Sequence, residues 1–143
     1  MRTSAHRRRN ARPGVNVVEF AVVVPVFFLL VFGIVEVARG FMTTHLLTNA
    51  ARAGCRLGIL NGKSTDEIKA AVNNVLTSNN ISAADATVTI QVNDKTVDAA
   101  TAVQNDKISV KVSIPVAKVA WITPLFLPGS TIESETMVMM RQR

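Results

Sequence analysis

The sequence is poor in the residues from which catalytic and metal sites are built. Its 143 residues include one cysteine, Cys55, which excludes an internal disulfide framework and a cysteine-built zinc site. There are two histidines, His6 near the N-terminus and His45 well inside the chain. A metal site needs several ligands together, so His45 reads as a surface or interface histidine. No glycine-rich phosphate loop, glycine-flanked nucleophilic serine or paired-histidine motif occurs. The sequence therefore predicts no enzyme and no cofactor. Charged residues are also few, 18% against 48% apolar, which excludes disorder over the whole length. No acidic residue precedes Glu19, whereas Arg2, Arg7, Arg8, Arg9 and Arg12 all precede Gly14. Without those five, 11 basic residues face 10 acidic ones, so the net charge of +6 belongs to a short leader. The body carries no nucleic-acid footprint.

Behind the leader lies a long apolar run. Phe20 to Val35 is free of charge, and extending it back to Val15 adds only Asn16 and Glu19 as polar interruptions. A helix of about 20 residues crosses a bilayer core, so this segment is long enough to span. Arginines before it and few just after it predict a cytoplasmic N-terminus and an outer C-terminal part. A cleaved secretory signal would show small residues after the apolar run, but Glu36-Val37-Ala38-Arg39 follows. A retained anchor over 15–38 is the better reading. Glu19 has two readings. It marks the membrane boundary, or it pairs with an α-amine created by cleavage between Gly14 and Val15. A carboxylate costs about 2.5 to 3.5 kcal/mol at the bilayer centre and less at its edge, and pairing offsets part of that.

Gly14 at the end of a basic leader, then Glu19-Phe20 and an apolar helix, resembles the class III signal of type IV pilins. Val18-Glu19-Phe20-Ala21, Pro25, Phe32-Gly33-Ile34-Val35-Glu36, Arg39-Gly40-Phe41 and Leu47-Thr48-Asn49-Ala50-Ala51-Arg52-Ala53-Gly54 together resemble the TadE-like pseudopilins. The specific part of the resemblance covers Gly14 to Leu57, and Cys55 stands where a small residue such as alanine is expected. The resemblance implies a minor pilin-like component of a tight-adherence pilus or secretion machine in the bacterial inner membrane. It implies removal of leader 1–14 by a prepilin peptidase, with Glu19 and Phe20 setting register during assembly. The implied partners are membrane lipid, the peptidase, other pilins and the assembly platform. The alternative is an uncut single-pass anchor presenting an extracytoplasmic binding module.

Residues 39–62 read as a continuation of the same helix. Leu47, Ala50, Ala51, Gly54 and Gly58 recur at spacings of three and four and build one face of very small side chains. That face predicts where the outer domain packs. Arg52 and Arg56 fall on another face, Glu36 and Arg39 are spaced to pair, and Asn61-Gly62 reads as the helix stop. Residues 63–143 predict a small extracytoplasmic α+β domain. Ser64-Thr65-Asp66-Glu67 is a capping box that opens a second helix through about Thr77, with Ile68, Val72, Val75 and Leu76 inward. Ala86 to Val92 and Ile108 to Val116 alternate with period two, and Ser130 to Met140 predicts a third strand of less regular pattern. Together they predict an antiparallel sheet laid on the helix.

One apolar stretch stands apart, Trp121-Ile122-Thr123-Pro124-Leu125-Phe126-Leu127-Pro128. Its prolines exclude a regular helix or a central strand. It reads either as a connection tucked over the core or as a partner-facing loop, with Trp121, Leu125 and Phe126 beside Glu36 and Arg39 as possible interface residues.

Overall fold

The computed structural model describes residues 13–119 and 129–141. It is an α+β protein. Helix α1 runs over Pro13–Gly58, α2 over Thr65–Ser78 and the single turn α3 over Val116–Val119. Strands β1 (Thr87–Val92), β2 (Lys107–Pro115), β3 (Thr131–Glu133) and β4 (Met137–Met140) form one antiparallel sheet. The chain divides into two compact units, one ending at Ile34 and one beginning at Val35.

The first unit is the apolar helix itself. Proline at the first helical position gives up no intrahelical hydrogen bond, which suits Pro13. Pro25 lies inside the helix, where it lacks the N–H that would bond the carbonyl of Ala21. Phe27 and Phe28 meet edge to face at 5.8 Å, and Phe28 stacks on Phe32 at 6.2 Å.

The second unit is built around the small-residue face of α1. Leu47, Ala50, Ala51 and Cys55 are completely buried, together with Ile68 and Val72 of α2 and Ile108, Val110 and Val112 of β2. The reason for glycine at two of these positions is geometric. A Cβ added at Gly54 would stand 2.6 Å from Cγ2 of Val72, and one at Gly58 3.0 Å from Cδ1 of Ile68. The two β-branched side chains occupy the space those glycines leave open. Helix α2 begins with the predicted capping box. Glu67 N–H donates to Oγ of Ser64 at 3.3 Å, and Ser64 N–H donates to the Glu67 carboxylate at 2.9 Å. Asp98, in the connection between β1 and β2, ties down the same helix end by accepting from N–H and Oγ of Thr65 at 2.9 and 3.0 Å. The alanines of that connection also contribute, since Ala99 and Ala102 are in the core.

Two expectations change. Helix α1 stops at Gly58 rather than Gly62, and Gly62 instead takes a positive φ of 76° in the turn that follows. The predicted third strand is two strands, both paired to β2. Ser113 pairs with Glu133 and Val110 with Met137, so Lys111 and Val112 face three residues, Ser134 to Thr136. This one-residue bulge reverses the side-chain parity of everything after it. Ile132 and Ser134 face inward before it, and Met137, Met139 and Arg141 face inward after it. Ser134 secures the break, its N–H donating to the Val112 carbonyl at 2.8 Å and its Oγ accepting from Val112 N–H at 2.9 Å.

Candidate functional site

The N-terminal half of α1 is apolar on every side and uncovered. Phe20, Val22, Val26, Phe27, Phe28, Leu30 and Ile34 are all exposed, and none of the residues in its most apolar 18-residue window is buried. A helix that is hydrophobic all round belongs in a large core or a membrane, and the described residues provide no core around this one. It is one long apolar helix with the length and composition of a membrane anchor. Gly14 and Glu19 both lie within α1 and are exposed, and Phe20 directly follows Glu19 at 69% exposure. Val15 is helical as well. The bond between Gly14 and Val15 therefore lies in the first turn of the helix.

Beyond the apolar run, α1 continues into the second unit. Glu36 and Arg39 are half-buried, and neither is free of interaction. A terminal nitrogen of Arg39 donates to the carbonyl of Val119 at 3.1 Å, at the C-terminal end of α3. Nothing in the spacing of Arg39 points to this contact, because its partner is a backbone atom 80 residues away. Beside α3, Lys118 pairs with Asp85 at 2.9 Å. The N–H of Val116 donates to the Ser130 carbonyl at 2.9 Å, closing the base of the intervening segment. Trp121, Leu125 and Phe126 lie outside the described residues, as do residues 1–12 of the basic leader.

Further along, the α1 seam contains two groups of chemical interest. Cys55 is buried, and its thiol donates to the carbonyl of Met137 at 3.1 Å. Burial pushes that thiol up to about 11, which keeps it protonated and unreactive at neutral pH. Arg141 is the largest fully buried side chain. Its guanidinium donates to the carbonyls of Gly58 and Leu60, each at 3.0 Å, and to that of Ala102. The last carbonyls of a helix have no intrahelical donor and carry partial negative charge, so a cation satisfies both needs at once. This cap was missed by the sequence reading, because an arginine near a chain end ordinarily looks solvated. Only the bulge at Ser134 to Thr136 reveals which way it points. His45, Arg52 and Arg56 are exposed, and among the described residues no cluster of histidine, cysteine and carboxylates could hold a metal.

Comparison with curated proteins finds no match, and comparison with solved structures finds none. The similarity to a known family is confined to α1 and begins at Gly14. Residues 14–56 match the model of the TadE-like protein family, so the long helix is what this chain shares with that family.

Proposed function

We propose that the protein is a minor pilin-like component of a tight-adherence pilus or secretion machine. The observation that carries this reading is the uncovered apolar helix, joined to a small folded domain and matched to the TadE-like family from Gly14 onward. In this reading residues 15–38 cross the inner membrane with the N-terminus in the cytoplasm, and the 63–143 domain is periplasmic. A prepilin peptidase removes residues 1–14, and the new α-amine at Val15 pairs with Glu19 of the same or a neighbouring helix. Apolar helices then pack laterally with Glu19 and Phe20 fixing register, and an assembly platform lifts the bundle. The chain works by assembly, not by catalysis.

A second reading is favoured by one observation. Helix α1 already includes Pro13 and Gly14, so the peptidase must unwind its first turn to reach the bond. An uncut anchor presenting the outer domain needs no such step. The intact mass of the protein purified from its native membrane separates the two. Loss of residues 1–14, with or without methylation of the new N-terminus, supports the pilin-like reading. A mature chain beginning at Met1 or Arg2 overturns it in favour of the anchor.

A further inference from the structure

The outer half of α1 has a second face that its own domain leaves uncovered. Phe41, His45, Asn49, Arg52 and Arg56 are all exposed, Phe41 at 65%. At about 100° per residue, their spacings of three and four place them within roughly a quarter of the helix circumference. That arc lies opposite the buried seam of Ala50, Ala51, Gly54 and Gly58. The face carries charge of one sign. Its arginines stand four residues apart, and no acidic residue occurs between Glu36 and Asp66. Among the described residues neither arginine has an ion pair or a side-chain hydrogen bond; the pairs there are Lys63 with Glu67, Lys111 with Glu133 and Lys118 with Asp85. Like charges at this spacing repel, so the isolated helix gains nothing from them. A planar guanidinium binds a carboxylate through two parallel hydrogen bonds, which makes arginine the cation suited to an interface. A second copy does not supply that carboxylate. Two parallel copies of α1 meeting at the same or a neighbouring height set Arg52 and Arg56 against residues 37–58 of the other, which include no acid. Like charges facing each other across an interface cost affinity.

We propose that this face of α1 docks a different subunit, one whose facing surface is apolar opposite Phe41 and carries carboxylates opposite Arg52 and Arg56. The arginines stand 11 and 15 residues beyond Phe41, which places those carboxylates about 16 and 22 Å along the partner from the apolar contact. The cations then act twice. They attract an acidic partner, and they keep a second copy of this chain from taking its place. This rests on the reading of the chain as a pilin-like component and names the chemistry of its neighbour. Its test is independent of leader removal, so either can fail alone.

The chain can be made its own acidic partner. Full chains in detergent micelles are labelled through Ser82→Cys, an exposed site whose side chain holds no helix cap. A donor goes on the chain with both arginines and an acceptor on the Arg52→Glu, Arg56→Glu variant. Mixing the two should give energy transfer about tenfold above that of either form paired with itself, and salt at about 0.5 M should abolish it. No transfer in the mixture would overturn the proposal, because the face then takes no carboxylate. Equal transfer in all three pairings would overturn it by placing the contact elsewhere. Stronger transfer between two chains that keep their arginines would make a second copy the occupant. If the double-glutamate chain loses its cooperative melt, a soluble helical peptide bearing two glutamates one turn apart replaces it. Arg52→Gln, Arg56→Gln should then abolish peptide binding, and undiminished binding would sink the proposal. In native membranes Asn49→Cys, on the same face, should form no disulfide-linked dimer under oxidant. Such a dimer would set a second copy on this face.

Discussion

The guanidinium of Arg141 donates to the carbonyl of Gly58 at 3.0 Å, joining the end of the last strand to the end of the long helix across 83 residues of chain. The same group serves Leu60 and Ala102, so three carbonyls depend on one side chain. Replacing Arg141 by methionine keeps most of the volume but leaves those acceptors buried without a donor. The expected cost is about 2–5 kcal/mol, because an orphaned buried polar group loses its full solvation. A thermal melt of the full chain in detergent micelles measures it. A melting temperature equal to that of the wild type would show that water replaces the guanidinium.

Gly54 sets how closely α2 approaches α1. A methyl group there would meet Val72 at 2.6 Å, closer than any ordinary contact, and Val72 is completely buried. Gly54→Ala should therefore destabilise the outer domain by about 1–3 kcal/mol, the usual range for overpacking. Adding Val72→Ala should recover part of the loss, because the two sites touch and their effects do not add. Gly40→Ala is the matched control, since a Cβ there meets nothing within 4 Å and alanine favours the helix by about 0.5–1 kcal/mol. Equal effects at Gly40 and Gly54 would remove close approach as the explanation.

These two residues also mark how far the sequence could be read. The seam of Leu47, Ala50, Ala51, Gly54 and Gly58 was legible because helical periodicity places them on one face, and four of the five are alanine or glycine. The capping box at Ser64 and Glu67 was legible because it is local, with both partners inside one turn. The split of the last strand was not, because a bulge inserts a single residue and leaves the composition unchanged. Arg141 was hidden by the same bulge, and with it the donor that meets the carbonyl of Gly58 at the end of α1. At the candidate site, Gly14, Glu19 and Phe20 are legible as a linear pattern ahead of an apolar run. The bond from Arg39 to Val119 is not, because a backbone carbonyl leaves no signature in sequence.

Acid should loosen the outer domain over a predictable range. Asp98 is held below the usual carboxylate range first by the N–H of Thr65, then by that of Ala100. Asp106 is lowered by the N–H of Val103 and the side chain of Asn93, and Glu67 by Lys63 and the Ser64 backbone. A carboxylate whose folded value is depressed contributes stability above its unfolded value of about 4, and that contribution disappears as pH falls through the folded value. The melting temperature should thus be level with respect to these groups from pH 7 to about pH 5 and fall below pH 4. Asp98→Asn should flatten part of that fall. A decline centred near pH 6 would implicate another group.

Topology can be read with a single thiol, and the structure selects its position. Ser82 is exposed and makes no capping hydrogen bond with its side chain, unlike Ser64, which holds the start of α2. Cys55 need not be removed, because at pH 8 a thiol raised to about 11 is only about 0.1% thiolate. The wild-type chain should resist a membrane-impermeant maleimide until it is unfolded. Ser82→Cys should label in intact spheroplasts. Labelling only after lysis would put the outer domain in the cytoplasm and remove the basis for pilin-like assembly.

Gly14 gives the most direct separation of fold from processing. It is exposed, and a Cβ added there would meet nothing within 4 Å. A bulkier residue at this position therefore leaves the fold intact, and any effect on the leader tests the proposed cleavage. In a protease cleft the scissile residue is drawn into extended backbone, and a glycine passes through without side-chain clash. Gly14→Val should therefore accumulate a folded, membrane-anchored precursor that keeps residues 1–14. Glu19→Ala should behave in the opposite way. The carboxylate is exposed on α1, so its loss removes no packing, and an apolar residue there favours insertion. That chain should be cut at the normal bond and stay anchored, yet fail to co-assemble with partner pilins. Mass spectrometry of both variants from native membranes, with co-purification of partner subunits, provides both readouts. Normal processing of Gly14→Val, or undiminished co-assembly of Glu19→Ala, would break the link between these residues and the roles assigned to them.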